Sequence, residues 1–268
     1  MALTKQGYGW IPDLPDHRDF IYAAPERVLG ALPPKIDLRP DCPIVYDQGP
    51  VGSCTANAIG AAHEFLQMKQ GHQDIFVPSR LFIYYQEREI EGTVDLDCGA
   101  MMRSGIKVIA NFGVCPEEPT QNHPDVDGVW PYDIQNLLYE KPSAAIYNIA
   151  AEHQAITYSR LQRSINEMKG CLASGYPFVY GFSVYESFEN DSVKNTGLVK
   201  MPGLDESLIT GHAVLAVGYD DAHNWFITRN SWGQCWGDDG YFYMPYQYLL
   251  DPDLSDDFWT IRFVEDEV

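Results

Sequence analysis

Basic residues are scarce in this chain: 18 Lys and Arg stand against 38 Asp and Glu in 268 residues, a formal charge of −20. So acidic a surface repels phosphates and anionic headgroups, which argues against nucleic acid and membrane surfaces as partners. Cysteine is sparse as well. Six in a chain this long are too few for a disulfide scaffold, and none forms a C-x-x-C pair, so no zinc site, other metal or cofactor is expected. Cys42, Cys98, Cys115, Cys171 and Cys235 leave room for one bridge, but mostly free thiols are the expectation. No apolar run approaches the roughly 20 residues that span a bilayer. Met1-Ala2-Leu3-Thr4-Lys5-Gln6-Gly7 lacks the apolar core of a secretory signal. The compartment stays open between cytoplasm and export by a non-classical route, and no membrane insertion is expected. Internal repeats and low-complexity stretches are absent too, and the length suits one full core or two lobes.

Three stretches carry chemistry. In Gln48-Gly49-Pro50-Val51-Gly52-Ser53-Cys54-Thr55-Ala56-Asn57-Ala58, glycines and a proline deliver one cysteine to the start of a helical run, Ala56 to Lys69, stopped by Gly71. A thiol at a helix N-terminus meets unpaired N–H groups and the positive end of the dipole, which favour thiolate. Gly52 beside it lets another backbone approach closely. For a lone Gly-Ser-Cys, a buried structural cysteine is about as good a reading. The second stretch, Gly211-His212-Ala213-Val214-Leu215-Ala216-Val217-Gly218-Tyr219, has a strand pattern. The third, Trp225 to Gly233, is a strand ending in Asn230-Ser231-Trp232-Gly233. A hairpin centred on Asp221 would set His212 opposite Asn230, with Cβ atoms about 5 Å apart. An amide there can fix the imidazole's tautomer and free its other nitrogen for a thiol.

Together with Trp236-Gly237 and Gly240-Tyr241, these blocks resemble, in the order Cys, His, Asn, the active-site segments of papain-like cysteine peptidases. The likeness runs from Leu32-Pro33-Pro34-Lys35-Ile36-Asp37-Leu38-Arg39, similar to a mature N-terminus, to Tyr243. Phe112-Gly113-Val114-Cys115-Pro116-Glu117 and Trp130-Pro131-Tyr132 resemble a bacterial, xylellain-type branch. The resemblance implies an α+β, papain-like two-lobe fold. Its helical left lobe would occupy about 45–145 and its β-barrel-like right lobe about 146–264, with the cleft between them. Residues 32–268 would form the peptidase domain.

By the same resemblance, Cys54 would be the nucleophile, His212 the base and later acid, and Asn230 the residue that orients His212. Trp232 would cover the Asn–His bond from water. Gln48 would give its side-chain amide to an oxyanion hole shared with the Cys54 N–H. Gly52, Ser53, Gly99, Ala100, Met101, Gly211 and Trp236 would border the cleft, Ala100 and Met101 making an apolar second subsite. The partner would be a peptide or protein substrate. His17, His63, His72, His123, His153 and His223 have no comparable sequence partners and read as core or surface.

The sequence also departs from the family. Val51 stands where a first cysteine is usual and Thr55 where an aromatic is usual. Val51 removes half of a family disulfide, and near Asp97-Cys98-Gly99 the usual partner is absent as well, unless a one-residue shift restores it as Cys98. His212 follows Cys54 by 158 residues and Asn230 by 176, more than the usual spacing of about 130–150. None of these changes touches Cys54, His212, Asn230 or Gln48. Other thiol acyl enzymes on the same fold (exopeptidase, deamidase, transpeptidase) and a non-catalytic binding homologue are the alternatives.

Residues 1–31 hold too many prolines for a long helix and read as extended chain with turns. They form a propeptide-like segment. Its strip Tyr8, Trp10, Ile11 and Phe20 could lie along the cleft as an inhibitory strand, or pack on the back of a lobe. Further on, helices are expected at Arg80 to Ile90, Met101 to Phe112 and Ser159 to Gly175, the last with Ser159-x-x-Gln162 as a capping box. Strands are expected at Phe178–Val184, His212–Tyr219, Asn224–Thr228, Tyr241–Met244 and Phe258–Val264. The acidic runs Asp251 to Asp257 and Glu265 to Glu267 read as solvated surface.

Overall fold

The computed structural model describes residues 7–265. Its helices are α1 (Glu26–Leu29), α2 (Cys54–Gln70), α3 (Arg80–Glu91), α4 (Met102–Asn111), α5 (Ala144–Ala150), α6 (Ile165–Ala173), α7 (Asp191–Thr196) and α8 (Tyr246–Leu250). Its strands are β1 (Trp10–Ile11), β2 (Lys35–Asp37), β3 (Ala100–Met101), β4 (Ala155–Arg160), β5 (Phe178–Tyr185), β6 (Leu208–Asp220), β7 (Trp225–Arg229), β8 (Tyr241–Pro245) and β9 (Ser255–Val264). Ends follow local chemistry. The Ser79 hydroxyl caps α3 by accepting the Phe82 N–H at 3.1 Å. Gly71 and Gly92 close α2 and α3 at φ 74° and 71°, in the left-handed region that glycine enters without strain.

The arrangement is α+β. Helices α2, α3 and α4 pack on one another, and α2 also lies against β6 and β9. The main sheet runs β4-β9-β5-β6-β7-β8 with antiparallel neighbours, and β2 pairs with β6 as well. It is an open sheet, which corrects the barrel-like expectation: among the described residues no pairing joins β4 to β8. Both edges are covered by chain instead, β4 through an Ile21–Arg160 bridge and β8 through Leu198–Tyr243.

Three local expectations also change. In the β6–β7 hairpin Asp220 pairs with Trp225 and Leu215 with Arg229, with an irregularity between Ala216 and Gly218. Residues 221–224 make a longer turn, Asn224 sitting at φ 57°. The registry is therefore not centred on Asp221, and the cross-strand partner of His212 is Phe182 on β5. Ser159 lies in β4 rather than capping a helix. The alternation Ile156, Tyr158, Arg160 belongs to a strand, and α6 starts after Ser164. Asp257 is fully buried, against the reading of its run as solvated surface; Asp253 in the same run is exposed. Of the acidic run at the end of the chain, Asp266 and Glu267 lie outside the described residues, as does Val268.

Candidate active site

Cys54 is the first residue of α2 and is wholly buried. The chain before it is clamped to the segment after β7. The Gln48 N–H bonds the Ser231 carbonyl at 2.9 Å, Asp47 bridges to Trp232, and the Gly233 N–H bonds the Tyr46 carbonyl at 2.9 Å. This clamp aims the Gln48 side chain. Its Oε1 accepts from the Ser231 hydroxyl and its Nε2 donates to the Val51 carbonyl at 2.9 Å. Below the loop, Arg80 is paired with buried Glu117 and lies 4.0 Å over the Tyr132 ring. The Tyr132 hydroxyl bonds Ser53 Oγ at 2.6 Å and donates to the Gln48 carbonyl at 3.0 Å. Ser53 thus braces the loop from beneath. Where Val51 leaves no thiol to cross-link, Asp97 Oδ1 accepts the Gly52 N–H at 2.9 Å and the Tyr84 hydroxyl at 2.7 Å.

His212 lies on β6, and the backbone N–H of its neighbour Ala213 lies against the Cys54 thiol. His212 Nε2 and Asn230 Oδ1 are 2.9 Å apart, so the amide oxygen accepts an Nε2–H and the other ring nitrogen is left without a proton. Asn230 Oδ1 also accepts the Ser231 N–H at 2.9 Å, which fixes its own angle. Trp232 stacks on the imidazole with centroids 4.9 Å apart, shutting water out of this bond. Trp236 stands perpendicular to Trp232 at 5.1 Å and is buried against Phe188 and Phe242, behind the cleft face.

The space in front of Cys54 is filled by the chain's own residues 7–11. The Gly7 carbonyl accepts from Gln48 Nε2 at 3.1 Å, and the Gly7 N–H donates to the Gly49 carbonyl at 2.9 Å. The Gly9 N–H bonds the Gly211 carbonyl at 3.2 Å and lies against the Cys54 thiol. The Ala100 N–H donates to the Gly9 carbonyl at 2.8 Å, and β1 pairs with β3 in parallel, Trp10 with Ala100 and Ile11 with Met101. The Tyr8 ring meets His212 and Trp232 edge-on at 5.4 and 5.3 Å. The approach depends on missing side chains. A Cβ on Gly9 would lie 2.0 Å from the Gly52 carbonyl oxygen, and one on Gly99 2.0 Å from that of Gly9. Gly52, Gly99, Ala100, Met101 and Gly211 therefore all border this strand, beside Cys54, His212, Asn230 and Gln48.

Covered in this way, the pair is not set for an ion pair. Burial pushes the Cys54 thiol up to about 12, outweighing the N–H groups of Ala213, Thr55 and Gly9 that pull it down. Burial likewise pushes His212 down to about 4. The helix N-terminus alone suggested a thiolate; desolvation wins while the strand is seated, and the groups rest as thiol and neutral imidazole.

Other features stayed out of view in the sequence. Asp97 carried no signal beyond its place beside Cys98. Arg80, Glu117 and Tyr132 meet only in three dimensions. Glu87 lies buried under Cys54's neighbour, accepting from the Thr55 hydroxyl at 2.8 Å. All six cysteines are separate thiols. Among the described residues no group of His, Cys, Asp and Glu could hold a metal ion, and no helix is long and apolar enough to cross a membrane.

Known proteins match the chain over most of its length. The family model described as papain family cysteine protease matches residues 32–249. An uncharacterized peptidase C1-like protein of Acanthamoeba polyphaga mimivirus is 40% identical over the whole chain and 90% of its own length. A probable cysteine protease of Arabidopsis thaliana is 28% identical over 81% of the chain, which spans 44% of that protein. Among solved structures, xylellain, a cysteine protease from Xylella fastidiosa, superposes with TM-score 0.87 at 46% identity over 98% of each chain. Digestive procathepsin L 3 of Tenebrio molitor larval midgut shares the fold, with TM-score 0.66 at 18% identity over 98% of this chain and 77% of its own. The chain belongs to the papain family of cysteine proteases and has the papain-like α+β fold.

Proposed function

We propose that the chain hydrolyses peptide bonds through Cys54, His212, Asn230 and Gln48, and that residues 7–11 hold it in a covered, inactive state. The observation that carries both halves is the Gly7 carbonyl on Gln48 Nε2, with the Gly9 backbone against Cys54. A peptide backbone already occupies the cleft and already uses the amide proposed for the oxyanion hole.

With a substrate in that place, His212 takes the Cys54 proton and the sulfur attacks the carbonyl carbon. The oxygen gains charge and is held by Gln48 Nε2 and the Cys54 N–H. The C–N bond then breaks, His212 giving its proton to the leaving amine, and a thioester remains. Water, losing a proton to His212, attacks the thioester, and the acid leaves as the thiol is restored. Asn230 holds the imidazole in one tautomer throughout, and Trp232 keeps that bond dry.

Epoxide labelling of Cys54 with mass mapping, run beside hydrolysis of a peptide library, tests the reading. The full chain should react slowly and the Gly9→Ala chain at least about tenfold faster, since the added Cβ collides with Gly52. Cys54→Ala should abolish hydrolysis while leaving the circular dichroism unchanged. Turnover by Cys54→Ala would overturn the mechanism, and equal labelling of the full and Gly9→Ala chains would overturn the covering role.

A further inference from the structure

Ser53 stands at the N-cap of α2, where a serine hydroxyl ordinarily accepts an N–H of the first turn; here its side chain makes no such bond. The hydroxyl is turned instead toward two side chains, Asn57 Nδ2 at 3.0 Å and the Tyr132 hydroxyl at 2.6 Å. Every proton in this group can be assigned. A guanidinium only donates, so Asn57 presents its oxygen to Arg80 Nη1 at 3.1 Å and its amide N–H groups to Ser53. A carbonyl only accepts, so the Tyr132 proton goes to the Gln48 carbonyl at 3.0 Å. Ser53 therefore accepts from Asn57 and donates to Tyr132. The bonds from Arg80 to Gln48 all run one way, and each strengthens the next.

Both branches of this relay end on the groups proposed to hold the oxyanion. Gln48 is gripped by its backbone from two sides: the Ser231 carbonyl takes its N–H and Tyr132 holds its C=O. The Ser231 hydroxyl takes its side-chain oxygen, which turns Nε2 to the cleft. On the other branch, the side-chain and backbone N–H groups of Asn57 both bond the Ser53 carbonyl, at 2.8 and 3.0 Å. A planar peptide whose C=O is fixed has its N–H fixed too, and the N–H of that peptide belongs to Cys54.

We infer that Arg80, Asn57 and Tyr132 are positioning residues that aim both oxyanion donors from beneath the loop, Tyr132 acting through Gln48 and Asn57 through the Cys54 N–H. The inference rests on the peptidase reading. The relay starts from a buried ion pair. Arg80 Nε donates to Glu117 at 2.9 Å, and the guanidinium lies between the Tyr46 and Tyr132 rings, 4.7 and 4.0 Å from their centroids. Such a pair is a poor device for stability alone, because desolvating both charges offsets their attraction; what it supplies here is a fixed direction for Asn57. The Trp130 N–H bonds the Pro116 carbonyl at 3.0 Å, which ties the segment carrying Tyr132 to the one carrying Glu117. Burial pushes the Tyr132 hydroxyl up, so it keeps its proton to donate.

The test uses the full chain carrying Gly9→Ala, each variant being assayed where circular dichroism shows it folded. Tyr132→Phe removes one hydroxyl. It should lower kcat about five- to tenfold, the worth of one neutral hydrogen bond, with KM changed less than about twofold. Alkylation of Cys54 by iodoacetamide, a displacement at saturated carbon that forms no oxyanion, should stay within about twofold. Placed on Gln48→Ala, Tyr132→Phe should cost less than about twofold, because the group it aims is gone. Asn57→Ala should also lower kcat more than alkylation, but its loss should persist on Gln48→Ala, since it acts on the other donor. An unchanged kcat in Tyr132→Phe, equal losses in hydrolysis and alkylation, or a Tyr132→Phe cost that Gln48→Ala leaves intact would overturn the inference while leaving the peptidase reading standing. No hydrolysis and no alkylation of Cys54 in the Gly9→Ala chain itself would take both down.

Discussion

Gln48 Nε2 and the Gly7 carbonyl oxygen are 3.1 Å apart, one hydrogen bond that ties the N-terminal segment to the amide aimed at the cleft. The same donor has two uses on the proposed mechanism, holding the covering strand at rest and an oxyanion during turnover. Gln48→Ala should therefore separate the two. In the Gly9→Ala background it should lower kcat about 100- to 1000-fold with little change in KM, the usual cost of one such donor. In the full chain it should speed epoxide labelling of Cys54, because the Gly7 carbonyl loses its partner. A drop in labelling together with kcat would assign Gln48 to loop structure alone.

His212 and Asn230 are expected to differ in kind. On the proposed mechanism, removing His212 removes the proton carrier, whereas removing Asn230 leaves the carrier but frees its ring to turn. His212→Ala should cost at least about tenfold more in kcat/KM than Asn230→Ala. Asn230→Gln, with a longer reach to the same nitrogen, should fall between. The reverse order would mean that Asn230 acts on something other than His212.

How far these residues could be read in advance differs from case to case. Cys54, His212 and Asn230 announced themselves because each sits in a short block whose local chemistry is visible: a Gly-rich approach to a helix, a strand, a strand end. His212 and Asn230 do share a hydrogen bond, but not for the reason that a registered hairpin suggested. The hairpin turns over four residues and slips at Val217, so His212 and Asn230 come together across a strand end and not as a registered pair. Asp257 was misread because a run of acidic residues looks solvated from sequence alone, whereas Arg160 and the indole of Trp10 reach it from 97 and 247 residues away. Desolvation of the thiol could not be read either, since it arises from a strand laid over Cys54 by a distant part of the chain.

That desolvation sets a pH dependence. With Cys54 raised to about 12, the thiolate is a trace at neutral pH, and labelling of the full chain should climb steadily into the alkaline range without a neutral plateau. The Gly9→Ala chain should reach its plateau earlier. For stability the signs are opposite for the two groups. Cys54 sits above its ordinary 9.0, so the folded state holds more protons there and loses stability as pH rises past 9.0. His212, down at about 4, and His63, pushed by burial to about 3, sit below 6.5, so stability is lost as pH falls through that value. Burial raises the carboxyls of Asp257, Glu64, Glu87 and Glu91, which work in the opposite direction over the same acid range. The histidine part is therefore read as a difference. The urea midpoint should fall less, or rise more, between pH 6.5 and 4 in His63→Gln than in the unsubstituted chain. An equal change in both would contradict a buried, neutral His63.

The loop before Cys54 is tied by Asp97 and not by a disulfide. Reductant should leave the melting temperature unchanged, since all six thiols are free. Asp97→Ala should cost about 1–3 kcal/mol, because it strands the buried Gly52 N–H and the Tyr84 hydroxyl together. Asp97→Asn, which keeps an acceptor, should recover most of that. Unfolding by reductant would mean a bridge that the thiols' separation denies.

Two truncations should part the inhibitory and structural uses of the N-terminal segment, because its two ends are held differently. Residues 7–11 touch the cleft. Residues 13–24 are woven into the body: Asp13 and Asp19 neutralise Arg160 and Arg103, and the Arg160 N–H and carbonyl bond Phe20 and Tyr22 at 2.7 and 2.8 Å. Tyr22 and Ala24 are buried in the core beneath β4, and the Ala24 N–H bonds Glu167 at 2.7 Å. A chain starting at Pro12 should therefore show higher kcat/KM and faster Cys54 labelling than the full chain, with a melting temperature within a few degrees of it. A chain starting at Leu32 also uncovers the cleft but strands Arg103, whose partners Asp13 and Asp19 are lost while Arg160 keeps Asp256 and Asp257, a loss of about 3–5 kcal/mol, or on the order of 10 °C in a domain this size. Its activity should then fall with its folded fraction on warming. If the chain from Pro12 gains no activity, residues 7–11 are not the cover; if the chain from Leu32 melts with the full chain, the buried aspartates hold nothing together.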